Sequence, residues 1–264
     1  MSSLQATLRH QAILEVLGER GQASVSDLAG RLDVSAVTVR QDLRALEAER
    51  RLVRTRGGAL ALTDPGKELP LEVASKTHAG AKRAIGAAAA RHVHDGQTVI
   101  IDVGSTTTTL AELLPGKRKG LTVVTNGLTI ALLLERHPEA TVVVTGGTLR
   151  PLQHALVAPL GTLLLERVNA DIAFIGCNGV DHRRGITNSN IAEAEIKQAM
   201  IAAARRTVVL ADHSKLGTVA TAFVAGLAQA DLLITDRGAD PAIVDRLREA
   251  GLAVEIAEDP AADA

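Results

Sequence analysis

Tryptophan and tyrosine are absent from the 264 residues, and phenylalanine occurs only at positions 174 and 223. Recognition of single-stranded nucleic acid relies on aromatic platforms for stacking, so the composition argues against that class. Cysteine occurs once, as Cys177, which rules out a disulfide framework within the chain. Its flanks, Ile175-Gly176 and Asn178-Gly179, read as a strand end with no base beside it, and a buried structural thiol is expected. No apolar run approaches the length needed to span a bilayer. Arg9, His10 and Gln11 interrupt any apolar core near the N-terminus, so no secretory leader and a cytoplasmic protein are expected. The formal net charge is −1, so a nucleic-acid surface would have to be local. The eight histidines and single cysteine show no metal-ligand spacing, and neither a metal nor another cofactor is expected.

The chain is 46% hydrophobic, enough for a substantial core, and its length allows two domains. In the first sixty residues, Leu8, Ala12, Ile13, Val16 and Leu17 recur at helical spacing, and Gly21 stops that segment. Ser24 opens a second helix, with Asp27 three residues on, and its apolar face is Val25, Leu28, Ala29 and Leu32. After a short turn at Asp33-Val34, Ser35 caps a third helix to about Arg50, with Val39, Leu43 and Leu46 on the buried side. Two short helices joined by a tight turn match a helix-turn-helix. The segment Leu52-Val53-Arg54-Thr55-Arg56, turning at Gly57-Gly58, reads as a small β wing.

Between positions 40 and 56 the arginines at 40, 44, 50, 51, 54 and 56 face only Asp42, Glu47 and Glu49, a locally basic surface. A DNA-reading face follows. Thr38, Arg40, Gln41 and Arg44 would enter the major groove, where arginine pairs with guanine and glutamine with adenine through two hydrogen bonds. Ser35 and Val37 lie on the same helix start. Arg54 and Arg56 would hold phosphates or enter the minor groove, and Ser24 and Ser26 stand at a helix N-terminus suited to a phosphate. The alternative is a three-helix or winged domain with solvated arginines that binds protein.

Val25-Ser26-Asp27-Leu28-Ala29, Val34-Ser35-x-x-Thr38-Val39-Arg40-x-Asp42-Leu43-x-x-Leu46-Glu47 and Arg54-x-Arg56-Gly57-Gly58-Ala59 together resemble the DeoR family of bacterial transcriptional regulators. Gln41 departs from the Arg-Arg-Asp that members usually carry at this point.

Thr63 to Pro70 has the turn and breaker residues of a linker, which places domains at 1–62 and 71–264. Beyond it, alanine-rich helical stretches alternate with β-branched runs at 99–101, 121–125, 141–145, 172–175, 208–211 and 232–235. That alternation predicts an α/β domain built on an open parallel sheet. Each run ends in polar or glycine-rich residues, and such sheets bind ligands at the carboxyl ends of their strands. Gly104, Ser105, Thr106 and Thr107, with Lys215 as a point charge, are the expected phosphate site. Asp102, Asn126 and Glu195 could hold sugar hydroxyls, and Gly147 ends another run in the same set.

This second domain is similar to the DeoR sensor domain through Ile101-Asp102-x-Gly104-Ser105-Thr106-Thr107, Leu121-Thr122-Val123-Val124-Thr125-Asn126, Gly146-Gly147-x-Leu149-Arg150, Ala170-Asp171-x-Ala173-Phe174-Ile175-Gly176, Glu193-Ala194-x-x-Lys197-x-x-Met200 and Asp212-x-Ser214-Lys215. The resemblance implies a homo-oligomeric repressor of double-stranded operator DNA, relieved by a phosphorylated sugar, with a sensor fold like ribose-5-phosphate isomerase. An enzymatic alternative follows from that fold: an isomerase carrying a DNA-binding appendage. Isomerisation needs a base and a donor at the developing oxyanion. The isomerases have a lysine in the region that here reads Asp181-His182-Arg183-Arg184-Gly185-Ile186-Thr187-Asn188, and that lysine is missing. A regulator without catalysis is expected.

Overall fold

The structure is a computed structural model that describes residues 3–20, 22–49, 51–61 and 69–258. Gly21, Arg50 and the linker positions 63–68 lie outside the described residues. The chain divides into two compact units, Met1–Val73 and Ala74–Ala264.

The first unit contains α1 (Ser3–Arg20), β1 (Gln22–Ser24), α2 (Val25–Leu32), α3 (Ala36–Ala48), β2 (Leu52–Thr55) and β3 (Gly58–Ala61). Ser24 Oγ accepts the amide of Asp27 at 3.0 Å, and Ser35 Oγ accepts that of Thr38 at 3.1 Å. Each hydroxyl thereby satisfies an otherwise orphaned donor at a helix start. Between α2 and α3 the chain turns at Asp33, whose φ of 50° lies in the left-handed region that a short polar side chain tolerates. The amide of Val34 closes the turn on the carbonyl of Ala29 at 3.1 Å. Ile13, Leu17, Leu28, Val39, Leu43, Leu46, Leu52 and Ala59 form one core. The three strands pair antiparallel in the order β1-β3-β2. This is a winged helix-turn-helix; β1, only three residues long, leaves no period-two signal in the sequence.

The remaining elements are α4 (Leu71–Lys76), α5 (Ala79–Ala90), β4 (Thr98–Ile101), α6 (Ser105–Leu113), β5 (Leu121–Thr125), α7 (Leu128–Leu134), β6 (Ala140–Val144), β7 (Thr148–Arg150), β8 (Ala155–Val157), α8 (Leu160–Leu165), β9 (Ile172–Gly176), β10 (Gly179–Asp181), β11 (Gly185–Asn188), α9 (Ile191–Ala202), β12 (Thr207–Leu210), β13 (Ala222–Ala225), β14 (Leu232–Asp236), α10 (Pro241–Glu249) and β15 (Val254–Ala257). Seven strands form a parallel sheet in the order β15-β14-β12-β9-β4-β5-β6.

Successive strand residues point to opposite faces. Val99, Ile101, Phe174, Val208 and Leu210 pack with α5, α6 and α7. Ile100, Ala173, Ile175 and Val209 pack with α9 and α10. A sheet covered on both faces needs unbroken apolar runs, which is why its central strands read so clearly. The sequence pattern yields six of the seven strands. The seventh, β15, carries Glu255 in a four-residue edge strand and lacks such a run. The antiparallel pair β7–β8 and the small sheet β10-β11-β13 were not anticipated; their strands are three or four residues long.

Candidate functional site

On α3, residues seven apart share a flank, because 3.6 residues make one turn. Arg40 and Glu47 are such a pair. Glu47 faces the wing, where its carboxylate accepts from the Arg54 amide at 3.3 Å and from Arg54 Nη1 at 3.4 Å. Val37, Gln41 and Arg44 occupy the centre of the solvent face, with Val37 61% exposed. Thr38 is half-buried, and its hydroxyl lies 2.9 Å from that of Ser35. Ser24 and Ser26 share a 2.9 Å hydrogen bond at the start of α2, and Arg56 is exposed at the wing turn.

Sequence reasoning counted Asp42 as a charge set against the basic surface. The structure turns it inward. Arg9 on α1 donates to it from Nε at 2.7 Å and Nη2 at 2.9 Å, and His10 Nε2 lies 3.1 Å away. Burial alone would raise the Asp42 carboxyl; the Arg9 and His10 interactions outweigh it and hold the group below the usual range. This fork fixes α3 against α1.

In the second unit, β4 and β9 are neighbours, and the chain moves outward from them in opposite directions. From β4 it proceeds to β5 and β6, and from β9 to β12, β14 and β15. The topological switch point therefore lies between the carboxyl ends of β4 and β9, the position where open α/β sheets bind ligands. Past β4 come Asp102, Val103 and Gly104, the N-cap of α6. Thr107 and Thr108 hydroxyls donate back to the Gly104 carbonyl at 3.0 and 2.7 Å. Thr109 bonds the carbonyls of Lys82 and Thr106. Among the described residues, the hydroxyls of Ser105 and Thr106 make no such bond. They stand at the first turn of α6, where the amides have no helical acceptor.

Asp102 is fully buried. Its Oδ2 accepts from the Gly176 amide at 3.0 Å and from Lys197 Nζ, while Oδ1 has no partner among the described residues. Burial by itself lowers the Lys197 ammonium, but the carboxylates of Asp102 and Glu193 outweigh it and hold the group above its ordinary value. Glu193 in turn accepts from Arg150 Nη1 and, at 3.0 Å, from Asn188 Nδ2. Glu193 and Lys197 lie four residues apart on the buried face of α9. Glu195, between them, is exposed on the opposite side and does not reach the strand ends. The α9 carboxylate turned toward the sheet is that of Glu193, not Glu195. The i,i+4 spacing of Glu193 and Lys197 is the sequence signal that puts both on one helix face.

Asn126 is also placed differently from expectation. Its Oδ1 accepts the Val103 amide at 2.8 Å and its Nδ2 donates to the Leu156 carbonyl at 3.3 Å, so both ends brace the loop after β4. At Gly147, φ is 126° and an added Cβ would lie 2.2 Å from the Val157 carbonyl oxygen. Closure of the β7–β8 pair is a sufficient reason for glycine there.

Beyond β12, Asp212 Oδ1 caps a single 3-10 turn by accepting the Ser214 amide at 3.0 Å, and Asp212 Oδ2 lies 3.8 Å from Lys82 Nζ. Lys82 donates to the carbonyls of Ala74 and Thr77 at 2.6 and 2.7 Å; burial pulls its ammonium below the ordinary value, with Asp212 opposing. Lys215 is half-buried and makes no ion pair among the described residues. Cys177 is half-buried by surface area, yet the protein packed around its thiol pushes it up to about 12, too high for a nucleophile near neutral pH. Lys197, Lys215, Asp212 and Asp102 all act electrostatically on that thiol, so four charged groups gather around the end of β9. No group of three metal-ligating side chains occurs among the described residues, and no helix there is long and apolar enough to cross a membrane.

A winged helix-turn-helix followed by an α/β unit with charged groups gathered at its switch point is the layout of a ligand-sensing transcriptional regulator. Two family profiles match in tandem, the DeoR-like helix-turn-helix domain over residues 9–64 and the DeoR C terminal sensor domain over residues 77–237. The HTH-type transcriptional regulator GolR of Listeria innocua is 35% identical over 250 residues, covering 95% of this chain and 98% of that protein. The HTH-type transcriptional repressor GlcR of Bacillus subtilis is 33% identical over 250 residues, covering 94% and 95%. Among solved structures, ribose 5-phosphate isomerase A of Methanocaldococcus jannaschii aligns with 51% of this chain and 52% of its own, at 19% identity and a TM-score of 0.37. The chain belongs to the DeoR family of transcriptional regulators, and its first unit is a DNA-binding domain.

Proposed function

We propose that the chain is a cytoplasmic repressor of a carbohydrate-metabolism operon, released from its operator by a phosphorylated sugar bound between the ends of β4 and β9. The observation that carries this reading is the start of α6 at the switch point. Two unbonded hydroxyls, Ser105 and Thr106, flank free first-turn amides there. Such a terminus attracts a phosphate, and Lys215, with no ion pair among the described residues, adds a cation past the end of β12, the strand next to β9. Asp102 is the group we assign to a sugar hydroxyl; it is buried and its Oδ1 has no partner among the described residues, so an entering ligand must first uncover it. That GlcR, a relative, is a transcriptional repressor supports repression, and the sensor-domain match supports an effector.

The DNA-binding part spans 1–62, the linker 63–70 and the sensor 71–264. A homo-oligomer presents paired winged helices to inverted half-sites roughly 34 Å apart or a multiple of that spacing. The chain acts by binding, not turnover: Lys197 is tied to Asp102, so neither is a free acid or base.

An effector shifts DNA binding only if it favours one state over the other. Mobility-shift titrations of phosphorylated sugars against a duplex selected by the protein test this. The expected result is release by at least one of them, lost in Ser105→Ala/Thr106→Ala while DNA affinity stays intact. Sugar phosphates that bind the sensor and leave DNA affinity unchanged overturn the proposal; joint loss of response and folding would make the stretch structural.

A further inference from the structure

A notch of about 80 Å³ opens between α3 and the wing, lined by Val25, Leu43, Arg40, Arg54, Arg56 and the backbone of the turn at Gly57 and Gly58. Val25 and Leu43 are its apolar lining residues, and three of the others are arginines. The walls are fixed. The amide of Val25 donates to the Gly57 carbonyl at 2.8 Å, tying the wing turn to the start of α2. An added Cβ on Gly58 would lie 2.0 Å from the Ala23 carbonyl oxygen, so β3 can press against β1 only with glycine there. Glu47, on the Arg40 flank of α3, partly offsets Arg54 at 3.4 Å. Arg40 and Arg56 have no acidic partner among the described residues, whereas Arg9 and Arg54 in the same unit are paired.

Two arginines without an acidic partner among the described residues line one small concavity, which suits a tetrahedral oxyanion because each guanidinium can offer several fixed donors. The volume is far below the roughly 300–1,000 Å³ of sites that enclose a small molecule, which favours a phosphate presented by a polymer over a free metabolite. We infer that the notch seats one phosphate of the DNA backbone and that Arg40 grips this phosphate instead of reading a base. The inference rests on the DNA-binding reading and changes the role expected for Arg40 from sequence. Helix geometry agrees: Arg40 leans to the wing flank with Glu47, and Val37, Gln41 and Arg44 occupy the face left for base edges. The seated phosphate would fix how α3 enters the groove.

The test uses the full chain and two duplexes, one recovered by the protein from a random pool and one of scrambled sequence and equal composition. Affinity is measured for both as salt is raised. Arg40→Gln should weaken both duplexes by the same factor, preserve their affinity ratio and make the log–log salt slope shallower by about 0.9. Arg56→Gln should do the same. Gln41→Ala should reduce the ratio and leave the slope unchanged. An Arg40→Gln protein whose ratio falls while its slope holds would make Arg40 a base reader and overturn the inference. Loss of inorganic phosphate binding in Arg40→Gln with DNA affinity untouched would assign the notch to a free oxyanion and also overturn it. Wild-type chain that binds neither duplex overturns DNA binding itself, before any variant is compared.

Discussion

Lys197, near the middle of α9, donates to Oδ2 of Asp102 at the end of β4, and both side chains are buried. Removing one member of such a pair strands the other without solvent. Lys197→Met should destabilise the chain by about 3–5 kcal/mol, and Lys197→Met with Asp102→Asn should recover most of that. Urea denaturation of the two single variants and the double variant gives the coupling directly. Additive losses would show that the pair is not a unit.

The Arg9–Asp42 fork has a definite pH signature. The folded Asp42 carboxyl lies below its ordinary value, so the unfolded chain takes up the proton first as pH falls. The stabilisation is complete above the unfolded value, about pH 4, and is lost as pH falls through the lower folded value. Asp42→Asn should therefore cost about 1.5–3 kcal/mol near neutral pH. The gap from wild type should persist to about pH 5 and narrow at more acid pH. Denaturation midpoints followed across that range measure it; a gap that widens in acid contradicts the assignment.

Gly147 separates a ligand contact from a structural glycine. Its positive φ and the nearby Val157 carbonyl leave no room for Cβ. Gly147→Ala should cost about 1–3 kcal/mol through backbone strain, read as a lowered melting temperature. Effector response lost at unchanged stability would instead make Gly147 a contact to the ligand.

The winged helix was legible because its devices are local: Ser24 and Ser35 cap the helices they precede, and the apolar spacing selects the buried stripe. The central strands were legible because burial on both faces forces continuous apolar runs. The direction of particular polar side chains was not. Glu195 and Glu193 differ in the sequence only by two positions on one helix, yet that offset turns one to solvent and the other to Arg150. Asn126 resembled a ligand group because amides serve both purposes; only the positions of Val103 and Leu156 show that its hydrogen bonds are used internally. The Arg9–Asp42 fork joins residues too far apart for periodicity to reveal.

The ladder between β4 and β9 pairs Val99 with Ile172, so the two sides of the switch point come from distant parts of the chain. The helix-turn-helix and wing are all encoded by residue 61, whereas the switch point draws on β9, which begins at Ile172. Synthesis from the N-terminus delivers the parts of the DNA-reading head long before those that meet at the switch point. A ribosome-bound chain can therefore carry every element of the reading head before the strands and helices of the second unit exist to complete its sheet.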